Sequence, residues 1–219
     1  VTATFSESVI VDNASGTPEL NLVVGSYSRE ATYASVDNST TLVFQYTIQA
    51  GDNDTNGISI GENTLALNGG TIRDAAGNNA TLTHSSVADN SSYKVDTTPP
   101  TVSGVAITSA AGIQNNFLNA GDNVSVTATF RESVIVDNAS GNNPALTLVV
   151  GSNNQAATYA SGDNSTTLVF QYTILAGDND TNGISIGENA LALNSGTISD
   201  PAGNNAILTH SAVSANNSY

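Results

Sequence analysis

The chain has 219 residues, with 19 acidic side chains against four basic ones (Arg29, Arg73, Lys94, Arg131), a net charge of −15, and no Cys, Met or Trp. So few cations make nucleic acid and anionic membrane poor partners, because phosphate binding needs clustered Lys and Arg. Without cysteine there are no disulfide staples, no thiol catalysis and no thiolate-bound zinc, and no apolar run approaches the roughly 18 residues that mark a membrane-inserted helix.

Helical periodicity is missing, while apolar residues recur at every second position, the pattern of half-buried strands. Val1, Ala3 and Phe5 alternate with Thr2 and Thr4, and Leu20, Leu22 and Val24 with Asn21 and Val23. Within Thr40–Ile48, Leu42, Phe44, Tyr46 and Ile48 share one face. Turn formers separate these runs, among them Asp12-Asn13, Asn68-Gly69-Gly70 and Ala76-Gly77-Asn78, residues that tolerate positive φ or bond their own backbone.

Asp52-Asn53-Asp54-Thr55-Asn56-Gly57 is the strongest chemical motif of this first stretch. Oxygens at alternating positions followed by glycine suit a loop that wraps a hard cation, making Asp52, Asp54 and Asn56 candidate Ca²⁺ ligands. An EF-hand would place its closing glutamate at Asn63, whereas Glu62 falls one residue early, and no helices flank the loop. A calcium loop and a solvated, Asx-rich turn both remain open. Further on, Lys94-Val95-Asp96-Thr97-Thr98-Pro99-Pro100-Thr101-Val102 reads as a connector stiffened by two prolines. It divides the chain into domains 1–96 and 97–219. Thr101–Thr108 then alternates as the opening strand of the second domain.

From Val126 the chain repeats itself. VTATFSESVIVDNASG at Val1–Gly16 returns as VTATFRESVIVDNASG at Val126–Gly141, an offset of 125. Thr40–Ile48 returns at Thr166–Ile174 and Ala50–Asn63 at Ala176–Asn189, an offset of 126 after one inserted residue. The cation-loop motif therefore recurs with Asp178, Asp180 and Asn182, and Glu188 repeats the early glutamate. A repeat this long exceeds the roughly 20–50 residues of solenoid and propeller units, so each copy should own a core. Seven or eight short strands per copy predict an all-β fold of tandem Ig-like antiparallel β-sandwiches with Greek-key connections. With neither a Cys pair nor a core Trp, they are Ig-like by architecture only.

The first copy has no counterpart of Thr101–Ser125, and the chain stops at Tyr219, the equivalent of Tyr93. One reading is a boundary cut through a longer array; the other is a fibre in which a neighbouring chain donates the missing strand. A second acidic set is expected at strand ends near the connector: Glu7 and Glu132 after the VTATF run, Asp74 and Asp200 opening DAAGN and DPAGN, and Asp96 before the prolines. These carboxylates could converge on a cation or be ordinary loop charge. His84 and His210, at equivalent positions in ATLTH and AILTH, read as strand-end residues rather than catalytic ones, and no catalytic residue is assigned. Aromatic platforms for sugars are few, and the N-x-S/T sequons at Asn13, Asn38, Asn53, Asn79 and Asn90 are expected by chance in so Asn- and Ser-rich a chain.

Taken in order, these phrases resemble the bacterial Ig-like repeats of giant surface proteins, including RTX-type adhesins. Asp96–Val102, Val1–Val9, Ala50–Ile58 and Gly70–Asn78 follow the order of that module, as do Val126–Val134, Ala176–Ile184 and Gly196–Asn204. Pro201 departs from it where the first copy has Ala75. The resemblance implies a secreted or cell-surface stalk, often rigidified by calcium at module joints, with Asp96 and nearby carboxylates as first candidates. The leading expectation is a structural extender, not an enzyme, whose partners are neighbouring copies of the same module. Alternatives are a self-assembling filament subunit completed by strand donation, and a module that binds host or cell-surface glycans.

Overall fold

The computed structural model describes residues 1–35, 37–137, 141 and 143–216. These residues form antiparallel sheets and no helix, and the chain divides into two compact units, Val1–Thr98 and Pro99–Tyr219. The inserted residue of the second copy falls at 142–143, between Gly141 and Pro144, and 142 is outside the described residues.

The first unit contains β1 (Thr2–Asp12), β2 (Glu19–Val24), β3 (Tyr27–Ser35), β4 (Ser39–Gln45), β5 (Ser59–Ala66) and β6 (Thr71–Arg73). Their spatial order is β5-β2-β3-β4-β1-β6. β1 is long enough to serve two neighbours. Thr2–Thr4 pair with β4 across Val43–Thr41, and after an irregularity Ile10–Asp12 pair with β6. The β2–β3 hairpin closes at Val24 opposite Tyr27, so Gly25 and Ser26 form the turn. Gly25 has φ 59°, the positive value that a two-residue hairpin turn demands. Alternation along the strands puts Leu20, Leu22, Val24, Ala31, Leu42 and Phe44 into one core with Val9, Leu65, Ile72 and Val95. Phe44 meets Tyr33 edge to face at 6.1 Å, a favoured arrangement of ring quadrupoles.

The second unit contains β7 (Val102–Ala111), β8 (Asn123–Asp137), β9 (Ala145–Val150), β10 (Asn153–Ser161), β11 (Ser165–Thr173), β12 (Ser185–Ala192) and β13 (Thr197–Ser199). The order β12-β9-β10-β11-β8-β13 repeats that of the first unit, and β7 adds a further strand beside β8. The apolar side chains at even positions from Val124 to Phe130 are buried, as are Val134 and Val136, because a strand alternates faces with a period of two. Phe170, fully buried, again meets a tyrosine, Tyr159, at 6.0 Å.

Two expectations change. The second unit has seven strands, within the seven or eight expected, but the first has six, and residues 79–95, like 205–213, pair only through isolated bridges such as Ile60 with Val87 and Ile186 with Val213. In the first of these stretches the Asn90 side chain accepts from the Ser92 amide at 3.1 Å, a local bond of the kind that competes with ladder formation. Glu7 and Glu132, expected at strand ends, instead lie inside β1 and β8. Glu132 even occupies the core-facing parity between buried Phe130 and Val134, half-buried itself.

Candidate functional site

The Asp52–Gly57 loop follows β4 and is tied down by its own carboxylates. Asp52 is fully buried. Its Oδ1 accepts from Arg29 Nε at 2.8 Å and Nη2 at 2.7 Å. Its Oδ2 accepts from the Tyr46 hydroxyl at 2.5 Å and from the Gln49 amide at 2.8 Å. Burial pushes this carboxyl up, but the Tyr46, Gln49 and Arg29 donors more than offset it and hold it below the usual carboxylate range. Tyr46 moves the other way, raised by desolvation and by its bond to Asp52. Asp54, also buried, reaches back to the hairpin: its Oδ2 accepts from the Gly25 amide at 2.8 Å and its Oδ1 from Gly57 at 2.7 Å. The approach is so close that a Cβ on Gly25 would lie 2.0 Å from the Asn53 carbonyl oxygen. Asn56 donates to the Asp89 carboxylate.

The second loop is built the same way with one exchange. Asp178 accepts from the Leu175 amide at 2.9 Å and from the Tyr172 hydroxyl. Gln155, the counterpart of Arg29, donates its amide at 2.9 Å. Burial raises the Asp178 carboxyl, and Tyr172, Leu175 and Gln155 together bring it below the ordinary value. Desolvation and the bond to Asp178 push Tyr172 up to about 12. Asp180 accepts from Gly151 at 2.8 Å, Asn182 at 3.1 Å and Gly183 at 3.0 Å. In both copies, then, the two aspartates of the motif serve as acceptors for amide and hydroxyl donors, joined by a guanidinium in the first copy, that fasten the loop to the sheet, while Asn56 and Asn182 act as donors. Chain-order reading missed Arg29, Tyr46, Gln155 and Tyr172. The available signal was a tyrosine six positions before the aspartate in each copy.

The second acidic set behaves differently. One carboxylate oxygen from each of Asp96, Glu132 and Asp200 lies within 4.8 Å of the others, the one such cluster among the described residues. Asp96 belongs to the connector and is exposed, Glu132 is half-buried on β8, and Asp200 is 1 % exposed just after β13. Asp200 also caps its own turn, accepting from the Asn204 amide at 2.8 Å and side chain at 2.7 Å. Asp96 accepts from the Thr98 amide at 2.9 Å. Three carboxylates this close repel one another, and their hard oxygens are the ligands that Ca²⁺ or Mg²⁺ prefers, so the cluster could hold a metal ion. In the first unit Glu7 is exposed and Asp74 half-buried. Asp74 makes the same cap, the Asn78 side chain and amide holding its carboxyl below the usual range.

Both histidines are built into the fold. His84 Nε2 accepts from the Thr64 amide at 2.9 Å while Nδ1 faces the Ser85 carbonyl at 2.9 Å. His210 repeats this with Ala190 and Ser211, both at 2.8 Å. The partners require the Nδ1–H tautomer. Beside these groups runs a groove of about 460 Å³ in the first unit, walled by Thr2–Glu7 of β1 and by residues 78–85, with Leu20, Ile60 and Leu65 at its floor. A smaller pocket of about 330 Å³ in the second unit lies between Asn115–Leu118 and the Asp178–Asp180 loop.

No protein-family model, no curated protein and no solved structure matches the chain.

Proposed function

We propose that this chain is an extender from a secreted or cell-surface adhesin, built of Ig-like Greek-key sandwiches and stiffened by calcium. The observation that carries the reading is duplication: the same all-β unit occurs twice, and its most chemical-looking loops hold the fold together in both copies. A tandem of like units supplies reach and stiffness, whereas a catalyst needs one preorganised site. The strand order β1-β4-β3-β2 supports the Greek-key assignment, since three hairpin-linked strands lie beside one that returns across them. Calcium enters through Asp96, Glu132 and Asp200, where a divalent ion would relieve carboxylate repulsion and draw the connector onto β8.

Lys94, exposed at the start of the connector, provides the readout. Trypsin should cut after Lys94 more slowly in calcium than in chelator, and melting should rise with calcium. At a hundredfold excess over the dissociation constant one site adds about 2.7 kcal/mol. Glu132→Gln combined with Asp200→Asn should abolish both effects. Calcium-insensitive cleavage and melting would remove the metal from the proposal. Saturable binding of a glycan on an array would replace the extender with a recognition module.

A further inference from the structure

We infer that the outer face of the second unit's main sheet is a homophilic surface, on which a second copy of this chain docks sheet against sheet. Strand alternation sends Val126, Ala128, Leu168 and Phe170 into the core and their chain neighbours to the other side. Those neighbours form rows that can be followed from β7 to β12. Ser109 lies opposite Ser125, Ser125 opposite Gln171, Gln171 opposite Thr158, Thr158 opposite Ala145, and Ala145 opposite Ala192. Next to this row Thr127 stands between Ala106 and Val169, and Ala156 faces Thr147. Each of these residues is uncharged and none is longer than Gln171. Ala106, Ala156, Thr158 and Gln171 are exposed.

A neutral face of this extent stands out on a chain whose net charge is −15. The carboxylates of the unit are held off it. Asp122, Asp163, Asp178 and Asp180 lie in loops, Asp137 and Asp200 at or just past strand ends, and Glu132 and Glu188 at irregularities of β8 and β12. Arg131 also falls beyond Thr129, where β8 loses its register with β11. The first unit shows the alternative. At the positions of Ala145 and Ala156 it has Glu19 and Glu30, paired with Thr32 and Asn21 on the equivalent strands β2 and β3. One fold thus carries the charged version of this face and the neutral version.

Charge and area name the occupant. Copies of a strongly acidic chain repel one another wherever carboxylates meet, so they touch at least cost through the face that has none. A cationic partner would be drawn to the loops instead. Strands about 4.8 Å apart, rising about 3.3 Å per residue, give a face of roughly 25 by 20 Å. Two such faces bury roughly 1,000 Å², the lower bound of a specific interface. Short Ala, Ser, Thr and Val side chains on both sides suit aligned packing of sheets about 10 Å apart. The result is a weak, concentration-dependent dimer that needs no calcium.

Sedimentation equilibrium of the full chain in chelator, from micromolar loading to about 1 mM, tests this. Mass should rise toward the dimer. It should rise further between about 0.1 M and about 1 M salt, as the screening length falls from about 10 Å to about 3 Å; ion pairs would respond in the opposite sense. Ala145→Glu with Ala156→Glu gives the second unit the side chains that the first already accommodates, and should weaken association about tenfold or more. Gln171→Glu, exposed and nearly isosteric, should weaken it too, and melting temperatures equal to that of the parent chain exclude a folding defect. On dilution, methyl NMR signals should shift at Thr127, Thr158 and Val169 and stay fixed at their first-unit counterparts Thr2, Thr32 and Val43. A chain that stays monomeric at about 1 mM, or association that survives both sets of glutamates, would overturn the assignment. So would a monomer whose Thr127 and Val169 methyls shift on adding dextran, which would give the face to a neutral glycan. Calcium-dependent cleavage at Lys94 is read separately, and its failure would leave these outcomes unchanged.

Discussion

The two aspartate loops differ at one partner. In the first unit a buried carboxylate faces a guanidinium, Asp52 with Arg29; in the second the same carboxylate faces a neutral amide, Asp178 with Gln155. Tyrosine and backbone donors are common to both. The comparison teaches that the loop's geometry is set by the shared donors, while the ion pair is an exchangeable addition. A guanidinium a quarter exposed gains only part of the low-dielectric Coulomb energy, because water screens it.

Removing the carboxylate should break the comparison most. Asp52→Ala leaves Arg29, Tyr46 and the Gln49 amide without their acceptor, and about 3 kcal/mol of stability should be lost. Asp178→Ala strands only neutral donors and should cost about 2 kcal/mol. Hydrogen exchange resolved by unit would assign each loss. Equal costs would mean that the guanidinium contributes nothing to the difference.

Acid should act on both loops. The folded-state values of Asp52 and Asp178 lie below the ordinary 3.8. Their contribution is therefore complete above that value and is lost as pH falls through the folded one. Melting temperature should drop in the acid range below about pH 4, and less steeply in an Asp52→Asn, Asp178→Asn double variant. At the other end Tyr172, raised from 10.0 to about 12, favours the fold fully below pH 10, and this contribution is lost as pH rises through about 12. An acid limb unchanged by the double variant would locate the sensitive carboxylates elsewhere.

The smallest effect sharpens the comparison. Arg29→Gln converts the first loop to the chemistry of the second, and its cost should stay within about 1 kcal/mol. Unfolding in denaturant measures it, and a loss of several kcal/mol would show that the ion pair, not the shared donors, sets the loop.

Much of the architecture was legible from the residues. Leu42 and Phe44 share one face of a run whose other face carries Thr41, Val43 and Gln45, and the structure buries both completely. The repeat put equivalent aspartates, tyrosines and histidines on the page in advance. Gly25 was less legible, because its constraint comes from the Asn53 carbonyl 28 positions away in sequence (53 less 25). The same holds for Glu132: its position after a VTATF run suggested a strand end, and only the resumption of pairing beyond the irregularity between Thr129 and Val134, first with β11 and then with β13, placed it mid-strand.

The amino-acid sequence by itself determined that this protein is β-built, duplicated, strongly acidic and without thiol chemistry, because periodicity and composition are local properties of the chain. Tertiary structure alone decided which carboxylates face donors and which face one another. Asp52 and Asp96 are the same residue type, but one is surrounded by a guanidinium, a hydroxyl and an amide, while the other meets two further carboxylates. Partners brought together from distant positions set a charge's environment, and a linear pattern carries no record of that proximity.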